Sequence, residues 1–235
     1  MYHDIAEQII ELINKGVFTR KLPTEAELMR RYSVSRNTIR RAIDLVYQRG
    51  LIRRVQGSGY FINDLPNQSK AIVNLSVGPG ETMHGGDYHL SSKVVTFDKI
   101  IADATLAARM RVDTGSELYR IVRLRDLDGE RYCLEEAYYL TTIAPVITVE
   151  AANHSIFDFL AESYGIRVSS CENYIGMTTL SPDQAVVLQE KSKQQFLTLT
   201  QLNYYGNNQV FNYSTTIFVY PDLRFYFLSS HLQSN

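Results

Sequence analysis

"SVSRNTIRRAI", residues 33–43, places three arginines and an asparagine among apolar residues that recur at helical spacing. The whole 235-residue chain carries a formal charge of only −1, so this local excess asks for a cause. Two are open: a solvated helix face, or a helix pressed against a polyanion. Just upstream, Thr24 with Glu27 three residues on forms a capping box, which predicts a short helix ending near Tyr32. Ser35 can then cap a further helix by accepting an amide hydrogen bond from its first turn. In that helix Ile39, Ala42, Ile43 and Val46 share an apolar face, with Arg36, Asn37, Arg40, Arg41 and Asp44 largely opposite; Gly50 ends it. Near the start of the chain Ile5, Ile9, Leu12 and Ile13 predict another helix, stopped by Gly16. Downstream, "LIRRVQGSGYFI", residues 51–62, reads as two short strands around a Gln56-Gly57-Ser58-Gly59 turn.

Two helices joined by a tight turn, followed by a Gly-tipped hairpin flanked by Arg53 and Arg54, form a winged helix-turn-helix. The apolar stripe anchors the third helix, so its start can enter a DNA major groove about 12 Å wide. Arginine bonds a guanine edge bidentately and asparagine an adenine edge, while further arginines hold phosphates and set register. The candidate DNA-binding residues read from this geometry are Ser35, Arg36, Asn37 and Arg40 at the helix start, with the Gln56-Gly57-Ser58-Gly59 turn as the tip of the wing. This combination selects the polyanion over the solvated face, and it expects Arg36 and Arg40 on the surface, clear of the chain's own carboxylates. Charge partition agrees: residues 1–63 hold 11 Lys and Arg against 6 Asp and Glu, and the remainder 13 against 19.

Residues 2–62 resemble the DNA-binding domain of the GntR family of bacterial regulators. The strings "LPTEAEL", "VSRNTIRRAI" and "GLIRRVQGSGYFI" carry the resemblance. It implies operator contacts from Arg36, Thr38 and Arg40 through the major groove, and from Gln56 and Gly57 through the wing. Ala26 stands where many members have a base-contacting arginine, which shifts specificity toward Arg36, Asn37 and Arg40.

"NDLPNQSKA", residues 63–71, is polar and aperiodic, so domains are expected at 1–63 and 73–235, with a linker at 64–72. No run of about 18 apolar residues and no leader pattern is present, which predicts a cytoplasmic chain away from membranes. Cys133 and Cys171 lie in strand-like stretches and read as packed thiols. The second domain reads as strands with short helices, and it repeats itself. "DATLAARM" followed by a hairpin about Asp128-Gly129 is echoed by "SPDQAVVLQ" and a hairpin about Gly206-Asn207. Ala107 aligns with Ala185 and Leu118 with Phe196, both 78 apart; past the turn the pattern aligns Glu135 with Asn212, 77 apart. The expected fold is α+β, with a winged helix-turn-helix before a mainly antiparallel sheet carrying packed helices. Between the repeats "SIFDFLAESYG" predicts a helix capped by Ser155.

Arg123 and Arg125 sit two apart in a strand and so share a face. Two guanidiniums side by side imply a shared anion, either internal (Glu135 or Glu136 across the hairpin) or a ligand. Residues 73–232 resemble the UTRA effector domain of regulators similar to histidine-utilisation repressors, a fold related to chorismate lyase. That resemblance implies an anionic effector, a phosphorylated sugar or a related metabolite, held by Arg123, Arg125 and Ser155, with Glu135 taking a hydroxyl. Phe157, Asn212 and Phe218 stand where such sensors carry a tyrosine, a carboxylate and a tyrosine, which thins the polar contacts to the body of the ligand.

The expected function is an effector-controlled repressor acting as a homodimer on two-fold operator DNA, with no cofactor and no metal. Two alternatives are a chorismate-lyase-like enzyme, against which stands the lack of a nucleophile–base or cofactor motif, and a ligand-independent dimeric DNA binder. The Gly- and Pro-rich loop at residues 77–92 reads either as a lid or as a plain loop; its His84, Asp87 and His89 are too weak a pattern to define a metal site.

Overall fold

The computed structural model describes residues 1–63, 71–76 and 89–228. It divides into two compact units, Met1–Tyr88 with Asp222–Asn235, and His89–Pro221.

The first unit opens with α1 (Tyr2–Asn14), α2 (Glu25–Tyr32) and α3 (Arg36–Gln48), followed by the hairpin β1 (Ile52–Val55) and β2 (Gly59–Ile62). The expected start signals are in place. Thr24 and Glu27 form the capping box of α2, and Ser35 accepts the Thr38 amide at 3.3 Å at the head of α3. Ile39, Ala42, Ile43 and Val46 are fully buried, packed with Ile5, Ile9, Leu28 and Ile52. At about 25 cal/mol per Å² of apolar surface, this stripe is what fixes the polar edge of α3 outward.

A further pair of strands belongs to this unit: β3 (Ile72–Asn74) runs parallel to β10 (Arg224–Tyr226). The sequence-based boundaries place β10, and β3 beyond its first residue Ile72, in the second domain, whereas the structure groups both strands with the helices. Their ties run to the end of α3: Asn74 Nδ2 donates to the Arg49 carbonyl at 2.8 Å, and the Tyr226 hydroxyl donates to the Gly50 carbonyl at 3.2 Å. Gly50 has φ +72°, and a Cβ there would stand 3.2 Å from the Tyr226 ring, so the helix stop also leaves room for β10. Three-residue strands paired across 152 positions leave no local pattern to read.

The second unit is built on a six-stranded antiparallel sheet. Its first half is β4 (Leu90–Ile101), α4 (Ala104–Met110), β5 (Glu117–Leu127) and β6 (Glu130–Leu140). Then come α5 (Val149–Asn153) and α6 (Ile156–Tyr164), capped by Ser155 as expected. The second half is β7 (Ser170–Thr179), α7 (Pro182–Leu188), β8 (Gln195–Tyr205) and β9 (Gln209–Phe218). Strand order β4-β5-β6-β9-β8-β7 makes the halves mirror each other in sequence about the β6/β9 pair. Bulges fall at equivalent places, between Arg125 and Asp126 and between Asn203 and Tyr204, 78 apart.

The duplication is therefore structural, with one correction. Arg123 faces Glu135, while its counterpart Gln201 faces Ser214, so Glu135 corresponds to Ser214, 79 on, and not to Asn212. The second turn, residues 206–208, is one residue longer than Asp128-Gly129, and that insertion moves the register forward. Helices α5 and α6 cover one sheet face through Tyr119, Ile121, Tyr139, Leu160 and Phe211. The opposite face packs α4 through Met110 and Leu118, and α7 through Leu188 and Phe196. Cys133 is a packed thiol, but Cys171 is exposed because its strand, β7, is the sheet's edge.

Candidate nucleic-acid interface and effector site

At the head of α3, Arg36, Asn37 and Arg40 are exposed, and the Ser35 and Thr38 hydroxyls bond each other at 3.0 Å. Gln56 and Gly57 are exposed at the hairpin tip, where Gly57 adopts φ +73° with no atom near its missing Cβ. Between helix and wing runs an open groove of about 710 Å³. All seven candidates thus lie on the surface of one small unit. Arg41 is directed elsewhere, with its guanidinium 4.1 Å from the Tyr2 ring centre. Arg54 of the wing pairs with Asp44 of α3.

The expectation that Arg36 and Arg40 avoid the chain's carboxylates is corrected. Both meet Glu25, in the first turn of α2: Arg36 Nε donates to Oε2 at 2.6 Å and Arg40 Nε to Oε1 at 3.1 Å. Their side chains nonetheless stay 64% and 55% exposed, against 17% for Glu25. Partial burial alone would raise the Glu25 carboxyl, but hydrogen bonds from Arg36 and Arg40 and their charges outweigh it and hold it below its ordinary range. Sequence reading missed Glu25 because its partners lie 11 and 15 residues on, across the turn.

In the second unit, strand register puts Arg123, Arg125, Glu135, Asn212 and Phe218 on one sheet face, the face that α6 covers. Arg123 is buried and meets an internal partner: Nε donates to Glu135 Oε2 at 2.8 Å, and Nη2 meets the same oxygen. Its Nη1 donates to the Ala152 carbonyl at 3.2 Å and lies 3.5 Å from that of His154. Arg123 therefore anchors the backbone that leads into Ser155. Burial alone would raise the Glu135 carboxyl; the charges of Arg123 and Arg125 and the Arg123 hydrogen bond overcome this and lower it. Glu136 points to the other face, where Arg120 Nε holds it at 2.7 Å.

Arg125 is less committed. Among the described residues it makes one hydrogen bond, from Nε to the Ser92 hydroxyl at 3.2 Å. Ser155 accepts the Asp158 amide at 3.2 Å. Phe157 is exposed, edge-on to Tyr139 and Phe211. Asn212 is buried and satisfied, accepting from Asn203 at 2.7 Å and donating to the Tyr138 carbonyl at 3.1 Å. It stands four residues along β9 from Thr216, the residue beside Glu135, so roughly 13 Å from the arginines at strand rise. Phe218 is buried against Tyr132, whose hydroxyl has no partner among the described residues.

Most of the loop at residues 77–92, including His84 and Asp87, lies outside the described residues. Among the described residues no cluster of three or more His, Cys, Asp or Glu could hold a metal, and no helix is long and apolar enough to cross a membrane.

A winged helix-turn-helix joined in one chain to a separate sheet domain is the organisation of a DNA-binding transcriptional regulator. The family model for bacterial regulatory proteins of the gntR family matches residues 1–62, and that for the UTRA domain matches residues 86–222. The chain belongs to the gntR family and carries a UTRA domain. The uncharacterized HTH-type transcriptional regulator YydK of Bacillus subtilis (strain 168) is 26% identical over 226 residues, 95% of each chain. Its crystal structure superposes with a TM-score of 0.80, covering 100% of this chain and 99% of that one. The uncharacterized HTH-type transcriptional regulator YurK of the same organism is 30% identical over 169 residues, 71% of this chain and 69% of its own. The mannosyl-D-glycerate transport/metabolism system repressor MngR of Escherichia coli (strain K12) is 23% identical over 236 residues, covering 100% and 98%. Both matched families and the names of these relatives are those of transcriptional regulators, not enzymes, which sets the enzyme alternative aside.

Proposed function

We propose that this regulator is a homodimeric repressor whose operator affinity is set by a small organic anion, a phosphorylated sugar or a related sugar acid, bound on the α6 face of the sheet. The observation that carries the proposal is the division of labour between the two strand arginines. Arg123 is consumed by Glu135 and by the backbone before Ser155, whereas Arg125 keeps its Nη donors uncommitted among the described residues. Arg125 is then the anion's partner, and the head of α6 adds free amides and a favourable dipole. Phe157 offers the body of the ligand an aromatic surface without a hydroxyl. MngR, named for a sugar acid system, supports the choice of anionic sugar derivatives. On the DNA side, Arg36, Asn37, Thr38 and Arg40 enter the major groove and the Gln56-Gly57 tip follows the adjacent backbone, with Ser35 holding the helix start.

The test is a thermal-shift panel on the full chain with hexose 6-phosphates, sugar acids and inorganic phosphate. One or more organic anions should raise the midpoint, and Arg125→Ala should abolish that rise while the unliganded protein stays folded. Duplex selection from a random library, with and without the hit, should return a two-fold site whose retention changes with the ligand. The self-satisfied Arg123–Glu135 and Asn203–Asn212 pairs favour a second reading, in which the domain only dimerises; a flat thermal-shift panel selects it.

A further inference from the structure

Three groups converge on the Glu25 carboxylate. Two are the Nε atoms of Arg36 and Arg40, one turn apart on α3, and the third is the hydroxyl of Tyr60 on β2, which donates to Oε1 at 3.3 Å. Two arginines four apart on a helix repel each other, and a shared carboxylate offsets that repulsion. It does so through Nε, so neither side chain gives Glu25 a guanidinium fork, and both remain largely exposed. Side chains of this length otherwise sample many rotamers, and fixing them at the moment of binding costs affinity. Tyr60 adds a second function, because its strand forms the wing: one carboxylate joins the recognition helix to the wing that flanks the same groove.

We infer that Glu25 is a positioning residue for DNA recognition, which aims Arg36 and Arg40 and registers the wing against them without itself touching DNA. The inference rests on the operator-binding function proposed above and deepens it. It also predicts a signature that a purely structural role lacks. A carboxylate among phosphate-seeking groups repels every DNA equally, while its aiming benefits only the sequence that the arginines read. Glu25 therefore lowers non-specific affinity and raises specific affinity.

The experiment uses the full chain and a duplex that the wild type selects from a random library, beside a scrambled duplex of equal length, across a salt series. Glu25→Gln keeps the shape and removes the charge. Its ratio of specific to scrambled affinity should fall about tenfold, the scale of one bidentate base contact, while scrambled binding strengthens and its salt dependence steepens. Tyr60→Phe, which cuts only the tether to the wing, should lower the ratio by less and leave the salt slope unchanged. An unchanged ratio in Glu25→Gln overturns the inference, as does equal tightening on both duplexes, which would make Glu25 a simple charge brake. Failure of Glu25→Gln to fold transfers the decision to Tyr60→Phe, whose unchanged ratio also overturns it. A wild type that enriches no sequence defeats the operator-binding function instead, so the two failures are distinguishable.

Discussion

The molecule uses arginine with carboxylate twice, in opposite surroundings. Around Glu25 the pair of arginines is exposed, single-point and shared with a tyrosine; around Glu135 the contact with Arg123 is buried, two-point and backed by carbonyls. Water screens the first cluster, so it contributes little to stability and serves to hold directions. The second sits in a low dielectric, where losing one partner strands a charge. The same two residue types therefore make a recognition surface in one unit and a scaffold in the other, and depth decides which.

The largest effect is expected at Arg123. Arg123→Ala leaves the Glu135 carboxylate buried without its partner and should destabilise the second unit by about 3–5 kcal/mol, measured by denaturant unfolding. A loss below about 1 kcal/mol would mean that water reaches the pair and that the contrast is false. Acid sharpens the same point. The Glu135 carboxyl is held below its ordinary value of 4.5, so its stabilising contribution is complete above that value and is lost as pH falls through the lowered one. The stability gap between wild type and Glu135→Gln should then close progressively below pH 4.5, while remaining constant from pH 6 to 7. In the exposed unit, Ser35→Ala removes the cap of α3 and should cost about 1 kcal/mol, read as a lowered unfolding midpoint. Smallest is Glu25→Gln, whose effect on stability should stay within about 1 kcal/mol by the same assay, even as DNA discrimination falls.

Legibility in the sequence followed the range of the interaction. Ser35, Thr24 with Glu27, and the stripe Ile39, Ala42, Ile43 and Val46 act within one or two turns, and each was readable in place. Hairpin tips at Gly57 and Gly129 were equally plain, since positive φ at a turn leaves glycine in the sequence. Shared strand faces for Arg123 and Arg125 followed from the two-residue period, but the destination of their donors did not. One guanidinium went to Glu135 and the other to Ser92, a choice made by β4 lying beside β5 and by α5 covering only part of the face. The Glu135–Asn212 alignment failed for a smaller reason: similarity of residue types carries no information about a one-residue insertion in a turn, and hydrogen-bonded register does.

By itself the sequence determined the helix-turn-helix with its wing, the duplicated helix–hairpin unit, and the side chains that face outward at the start of α3, because periodicity and caps are local properties of the chain. Tertiary structure decided which arginine is consumed and which stays open, that one carboxylate gathers Arg36, Arg40 and Tyr60, and that β3 and β10 pair within the first unit. Those outcomes depend on burial and on partners distant in sequence, and the energy of a charge is set by what surrounds it in space, not by its neighbours along the chain.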